Sequence, residues 1–214
     1  MNTDPVTRFG IIRHAPTLWN EQKLIQGQQD SPLSTRGRLM AEAWGKQLGA
    51  FTWNRLLCGD LERVQQTARL INLSQRLPVE TDLRLREQDW GTWTGLTLRE
   101  VKARDKGLLR EQEQRGWNFQ PPEGESRQTV LSRSLAALTD AHAAWPGEKI
   151  LVVCHEGVMK CLLYHLLGRR FLPEEQKVIQ DFHLHLLTIQ GDTLAIEQMN
   201  CLALATLSVK STRT

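Results

Sequence analysis

Arg13 and His14 close the apolar run Phe9-Gly10-Ile11-Ile12, and His155 closes the longer run Ile150-Leu151-Val152-Val153-Cys154. A third run, Arg55-Leu56-Leu57-Cys58, is followed by Gly59-Asp60-Leu61-Glu62-Arg63. Short apolar runs bounded by polar residues read as buried strands. In open α/β sheets, ligands bind beyond the carboxyl ends of the strands. Two imidazoles and two guanidinium groups are therefore expected at one rim. Arginine presents a planar fork that matches phosphate oxygens. A neutral imidazole with one free nitrogen can act as a nucleophile at physiological pH. Gly157, two residues beyond His155, predicts a close backbone approach and a helix N-terminus aimed at the anion. Such a set could grip a tetrahedral oxyanion and attack its central atom.

Taken singly, each residue has a plainer reading. A histidine at a strand end is more often a hydrogen-bonded structural group, and an arginine at a helix start is usually solvated. Asn20 and Gln26 would ordinarily satisfy loop backbone, and Glu87 would be a surface carboxylate. His183 and His185 alternate along a strand and so share a face. Two exposed or hydrogen-bonded imidazoles account for them better than a metal pair. Only the joint pattern of Arg13, His14, Arg63 and His155 lifts the functional reading.

The elements that must position these groups alternate between strand and helix, the order of an α/β domain. A helix is predicted over about 34–51, with Ser34 as its cap and Leu39, Ala43, Trp44, Leu48 and Phe51 at approximate helical spacing. Another runs from near Leu61 to about Asn72 and puts Arg63 in its first turn. Residues 78–81 read as a short edge piece. Thr97-Leu98-Arg99-Glu100 has capping-box spacing and starts a helix. Longer helices are predicted over 126–145 and 157–167. The continuously apolar run 149–154 should be a central parallel strand, and 184–189 with 193–197 a hairpin. The last residues, from about Ser208, are expected to fray.

The chain has 214 residues, enough for one domain with an insertion. Its hydrophobic content of 40% and charged content of 24% are those of an ordinary globular protein. The formal net charge of +3 is scattered, so neither nucleic acid nor a membrane is implied as a partner. None of the four cysteines forms a CxxC pair. Cys58 and Cys154 read as free buried thiols, and a reduced, cytoplasmic protein is the expectation. The N-terminal residues lack the pattern of a signal peptide.

With these residues in view, the sequence resembles the histidine phosphatase superfamily, the phosphoglycerate mutase-like fold, and in particular its phosphatase branch. Arg13-His14-Ala15-Pro16-Thr17-Leu18-Trp19-Asn20 is similar to the RHGxTxWN signature. Gln26-Gly27-Gln28-Gln29-Asp30-Ser31-Pro32-Leu33-Ser34 resembles QGxxDxPLT, and residues 60–68 resemble the DLxRxxQTA helix start. Residues 85–95 resemble LxExxxGxWxG, residues 122–126 PxGES, and 152–157 the second-histidine strand end. The likeness runs from Phe9 to about Leu202. Three positions depart from it: Ala15 stands where glycine is usual, Pro16 where a polar residue is frequent, and Gly59 where serine is frequent.

The resemblance implies an α/β three-layer sandwich, a mostly parallel central sheet flanked by helices, as a single domain over 1–214. Residues 88–125, which carry Trp90, Trp93, Arg99, Lys102, Arg104 and Trp117, would form a helical lid. It implies a phosphomonoester hydrolase for a small phosphorylated metabolite, working without metal or cofactor. His14 would be the nucleophile and Glu87 the proton donor. Arg13, Arg63 and a protonated His155 would hold the phosphate, with Asn20, Gln26, Gly27 and Gly157 around the bound group. A phosphoglycerate mutase-type transfer is the alternative, and a non-catalytic binding protein of the same fold a weaker one. The assembly is open, a homodimer included.

Overall fold

A computed structural model describes residues 4–206. One six-stranded sheet runs through it in the order β3-β2-β4-β1-β5-β6. Four strands are mutually parallel: β1 (Thr7–Arg13), β2 (Arg55–Cys58), β3 (Val79–Thr81) and β4 (Lys149–Cys154). The hairpin strands β5 (His183–Gln190) and β6 (Thr193–Ala203) continue the sheet antiparallel on the far side of β1. The predicted mostly parallel sheet is thus present, with the run 149–154 near its centre.

Successive residues of a strand face opposite sides, and the two central strands use both. Phe9, Ile11, Ile150, Val152 and Cys154 pack into one core, whose cover is α6 (Arg127–Ala144) and α7 (Glu156–Leu166). Ile12, Leu151 and Val153 pack into the other, covered by α2 (Thr35–Leu48) and α3 (Glu62–Gln75). Three layers result. Thr17 caps the one-turn α1 (Leu18–Glu21) through Asn20 N, Ser34 caps α2 through Gly37 N, and Ser126 caps α6 through Thr129 N.

The buried face of α2 keeps Trp44 and Leu48 of the predicted set but not Leu39. Gly37, Met40, Ala41, Trp44, Gly45 and Leu48 are buried, whereas Leu39 is 48% exposed. A Cβ at Gly37 would overlap Pro16 O, and one at Gly45 would crowd Ile71 O. The helix meets its neighbours through those two glycines, so backbone contact rather than side-chain size decides which face turns inward.

Residues 88–125 hold α4 (Leu98–Arg104), capped by the predicted Thr97–Glu100 box, and α5 (Lys106–Gln114). Helix α5 shows no apolar stripe in the sequence, because it buries only Leu109 and Gln112. Trp93, Val101, Leu109 and Phe119 make a third, smaller core with Ile25, Trp90 and Leu96. This core is tied to residues 24–25 by Ile25 N to Leu96 O and Gly95 N to Ile25 O. Strand β6 runs beyond the predicted 193–197. The frayed segment from about Ser208 lies outside the described residues. No helix among them is long and apolar enough to cross a membrane.

Candidate active site

Register sets the two histidines side by side. Arg13 pairs with Cys154 across β1 and β4, and His14 N donates to Cys154 O at 2.9 Å. The next residue on each strand is a histidine, and the two rings stand edge to face with centroids 5.2 Å apart. His14 Nδ1 lies 2.8 Å from Ala15 O. A carbonyl only accepts, so Nδ1 carries the proton and Nε2 keeps its lone pair. Thr67 on α3 fixes this corner: its hydroxyl accepts from Ala15 N and donates to Arg63 O. Ala15 is fully buried in the α2–α3 core, and its Cβ is accommodated.

Arg63 follows one residue into α3, where the predicted first turn puts it, and its side chain is 1% exposed. Nη1 donates to Gln29 O at 2.7 Å and Asp30 Oδ1 at 2.9 Å, and Nη2 to Gly27 O at 2.6 Å. Its buried Nε has no partner among the described residues. An unsatisfied charged donor is costly to bury. Asp30 also accepts from Glu62 N and Arg63 N, which caps a helix whose own N-cap is Leu61. Gly27 adopts φ +52°, and a Cβ there would press on Thr94 Oγ1 and Trp90 N. Thr17 joins the other two polar candidates: its hydroxyl accepts from Asn20 N and lies 3.0 Å from Gln26 Oε1.

Arg13 pairs with Glu156, which also holds Lys160. Burial alone would raise the Glu156 carboxyl, but Arg13 and Lys160 outweigh it and hold it down at about 2. Glu87 places Oε1 2.8 Å from Gln88 N and Oε2 3.3 Å from Gly157 N. A Cβ at Gly157 would overlap the Glu87 carboxylate. The close approach predicted at Gly157 therefore exists, but its partner is Glu87. The Glu87 carbonyl is held by Arg133, which grips Glu125 with two bonds and also donates to Arg84 O.

Arg13, His14, Asn20, Gln26, Gly27, Arg63, Glu87 and Gly157 all border one cleft of about 320 Å³. His155 is buried behind it, with Nδ1 3.4 Å from Arg63 Nη2. Its Nε2 has no partner among the described residues, and Gly59 nearby has no hydroxyl to offer one. Pro16 borders a neighbouring hollow that shares Arg13 and His14. Of residues 88–125, Gln88 and Trp90 reach the cleft. Trp93 sits in the small core, and Trp117 packs on Phe171. Sequence reading missed Thr67 and Arg133, whose partners lie far along the chain, and also Thr17, Arg127 and Lys160. Among the described residues, no group of three or more His, Cys, Asp or Glu could hold a metal ion. His183 Nδ1 bonds Asp181 O, and His185 Nδ1 accepts from Asn200 N.

Burial, then Arg13 and Arg63, push His14 well below 6.5; burial, then Arg63, His14 and Arg13, do the same to His155. For His155 that direction favours the neutral ring over the protonated one that the resemblance implies. Burial likewise brings His185 down to about 4. Unfolded imidazoles take up protons near 6.5, whereas these three resist protonation until lower pH. The unfolded chain then binds more protons, so stability falls as pH drops through that window. The melting temperature is expected to decline from pH 6.5 towards 4, before most carboxylates titrate. A flat or rising profile in buffered thermal melts would contradict this.

Residues 9–202 match the description "Histidine phosphatase superfamily (branch 1)". The protein called "Probable phosphoglycerate mutase GpmB" in Enterobacter sp. (strain 638) is 32% identical over 158 residues, 74% of each chain. Bacillus stearothermophilus YhfR superposes with a TM-score of 0.83 at 26% identity, covering 92% of this chain and 98% of its own. A mycobacterial glucosyl-3-phosphoglycerate phosphatase complexed with VO3 gives 0.78 at 28% identity, covering 90% and 98%. With a matching motif set and sheet, the chain belongs to branch 1 of the histidine phosphatase superfamily.

Proposed function

We propose that this protein hydrolyses small phosphomonoesters through a phosphohistidine on His14. The observation that carries the reading is the bond from His14 Nδ1 to Ala15 O, which leaves the Nε2 lone pair beside Arg13 and Arg63 in a cleft that also holds Glu87. Nε2 attacks phosphorus as the ester P–O bond breaks. Glu87 gives its proton to the departing oxygen, releasing an alcohol. The phosphorylated ring is cationic, and Nδ1–H keeps its bond to the Ala15 carbonyl. Water then attacks phosphorus and loses a proton to Glu87. The P–N bond breaks, and inorganic phosphate leaves with His14 neutral again. In phosphoryl transfer the protein contributes mainly position and charge. Arg13, Arg63 and the neighbouring backbone supply both. Asn20, Gln26 and Gly27 shape the phosphate end, and His155 supports His14 and Arg63 from behind. The scheme uses no metal, since guanidinium groups supply the positive charge.

Residues 88–125 act in this reading as a lid over the leaving group, with Trp90 as the part that meets it. A mutase would return the phosphoryl group to the substrate instead of to water. A binding protein without catalysis is disfavoured by the joint presence of Arg13, His14, Arg63, Glu87 and His155. A metabolite panel assayed for phosphate release in excess EDTA, beside an assay for interconversion of 3- and 2-phosphoglycerate, tests all three. Chelator-resistant phosphate release without interconversion is expected. Loss of activity in EDTA would refute the metal-free scheme, and dominant interconversion would favour the mutase.

A further inference from the structure

Arg127 opens α6 from the outer end of the cleft. Its guanidinium lies between two rings, 4.2 Å from the Phe119 centroid and 4.0 Å from that of Phe171. Nη1 donates to Gly116 O and Phe171 O, both at 3.0 Å. Among the described residues no carboxylate lies within ion-pair distance of it, and Nε and Nη2 make no hydrogen bond. Those two donors form one edge of the guanidinium, the side-on fork that takes both oxygens of a carboxylate. Burial lowers Arg127 to about 10, so it stays charged at neutral pH.

Lys160, one turn into α7, borders the same cleft, and its only acidic partner among the described residues is Glu156, which it shares with Arg13. Arg127, Lys160 and Phe171 also line a smaller hollow of about 180 Å³ that continues outward. Glu113 and Glu175 border that outer hollow; Glu175 is engaged by Arg170 N and Leu172 N, and Glu113 acts on Arg127 only at longer range. The two ring faces favour a cation but offer no acceptor to its Nε–Nη2 edge. An unpaired guanidinium with a free fork on a cleft that already holds a phosphate-binding end calls for a second acid.

We infer that Arg127, assisted by Lys160, is a carboxylate subsite, and that the preferred substrates are phosphomonoesters whose leaving group carries a carboxylate. This rests on the hydrolase reading only for the word substrate, because the subsite can be measured by binding alone. Calorimetric titration would compare phosphonocarboxylates of two to four carbons with alkyl phosphonates of equal length. The wild-type chain is expected to favour the best carboxylate about tenfold or more. Arg127→Gln should abolish most of that preference, Arg127→Lys should keep part of it, and Lys160→Gln should reduce it. Should Arg127→Gln fail to fold, Lys160→Gln reads the same site without disturbing the ring stack. No preference in the wild-type chain, or one untouched by Arg127→Gln or by Lys160→Gln, overturns the subsite. An alkyl bisphosphonate bound more tightly than every carboxylate also overturns it, in favour of a second phosphate. A chain that prefers carboxylates yet releases phosphate from no ester keeps the subsite and refutes the hydrolase. One that releases phosphate without the preference does the reverse.

Discussion

His14→Asn is expected to lower phosphate release by a factor on the order of 10⁶, the scale seen when a covalent nucleophile is removed elsewhere. Asparagine can still donate to Ala15 O in place of Nδ1–H, so the corner held by Thr67 keeps its bonds. What disappears is the Nε2 lone pair. His14→Ala removes the same lone pair and also the buried ring that stands against His155. It should match the asparagine variant in activity and be less stable. Phosphorylated imidazole survives alkali and is lost in acid, so quenching a reaction on a labelled ester into base should retain label on wild-type protein. Neither variant should retain any. Activity in His14→Asn within a hundredfold of wild type would remove His14 from the nucleophile's role, as would label persisting at another residue.

The parts of this site that were legible in the sequence are those defined by a single strand and the residue after it. Arg13, His14 and His155 each follow an apolar run that can only be a buried strand, and Arg63 follows the same rule one helix turn later. Register between β1 and β4 then makes neighbours of two residues 141 positions apart, which no local pattern states. Glu87 was legible only through resemblance, because an isolated glutamate after Leu85-Arg86 has no signature of its own. Its supports were hidden for the same reason. Arg133 reaches it from α6 and Gly157 from α7, and the purpose of that glycine became visible only once the carboxylate was seen above it. Arg127 shows the limit most clearly. Its missing counter-ion is a property of its surroundings, and a sequence shows residues but not which of them stay unpaired. Leu39 on α2 is exposed for a related reason. Glycines 37 and 45 carry no apolar weight in a periodicity count, yet they mark where two backbones touch.

Glu87→Gln should separate the two halves of the reaction. A leaving alkoxide needs a proton as its P–O bond breaks, and general acid catalysis contributes about 10²–10⁴. Alkyl phosphates should therefore lose that much in kcat/KM. A nitrophenolate leaves without a proton, so phosphorylation of His14 by p-nitrophenyl phosphate should be slowed far less. Water, however, must still give up a proton to cleave the phosphohistidine, whichever ester formed it. The variant should thus release about one equivalent of nitrophenolate in a burst and then turn over slowly. The glutamine amide also meets two backbone N–H groups, from Gln88 and Gly157, of which its one oxygen can satisfy only one. Gly157→Ala provides the control for that misplacement. A Cβ there collides with the end of a flexible side chain rather than with backbone, so the fold should hold while the carboxylate is pushed aside. It should show the same direction of leaving-group dependence with smaller losses, because the carboxyl group is displaced rather than removed. If Glu87→Gln instead gave equal losses on alkyl and nitrophenyl esters and no burst, proton transfer would have to be assigned to another group.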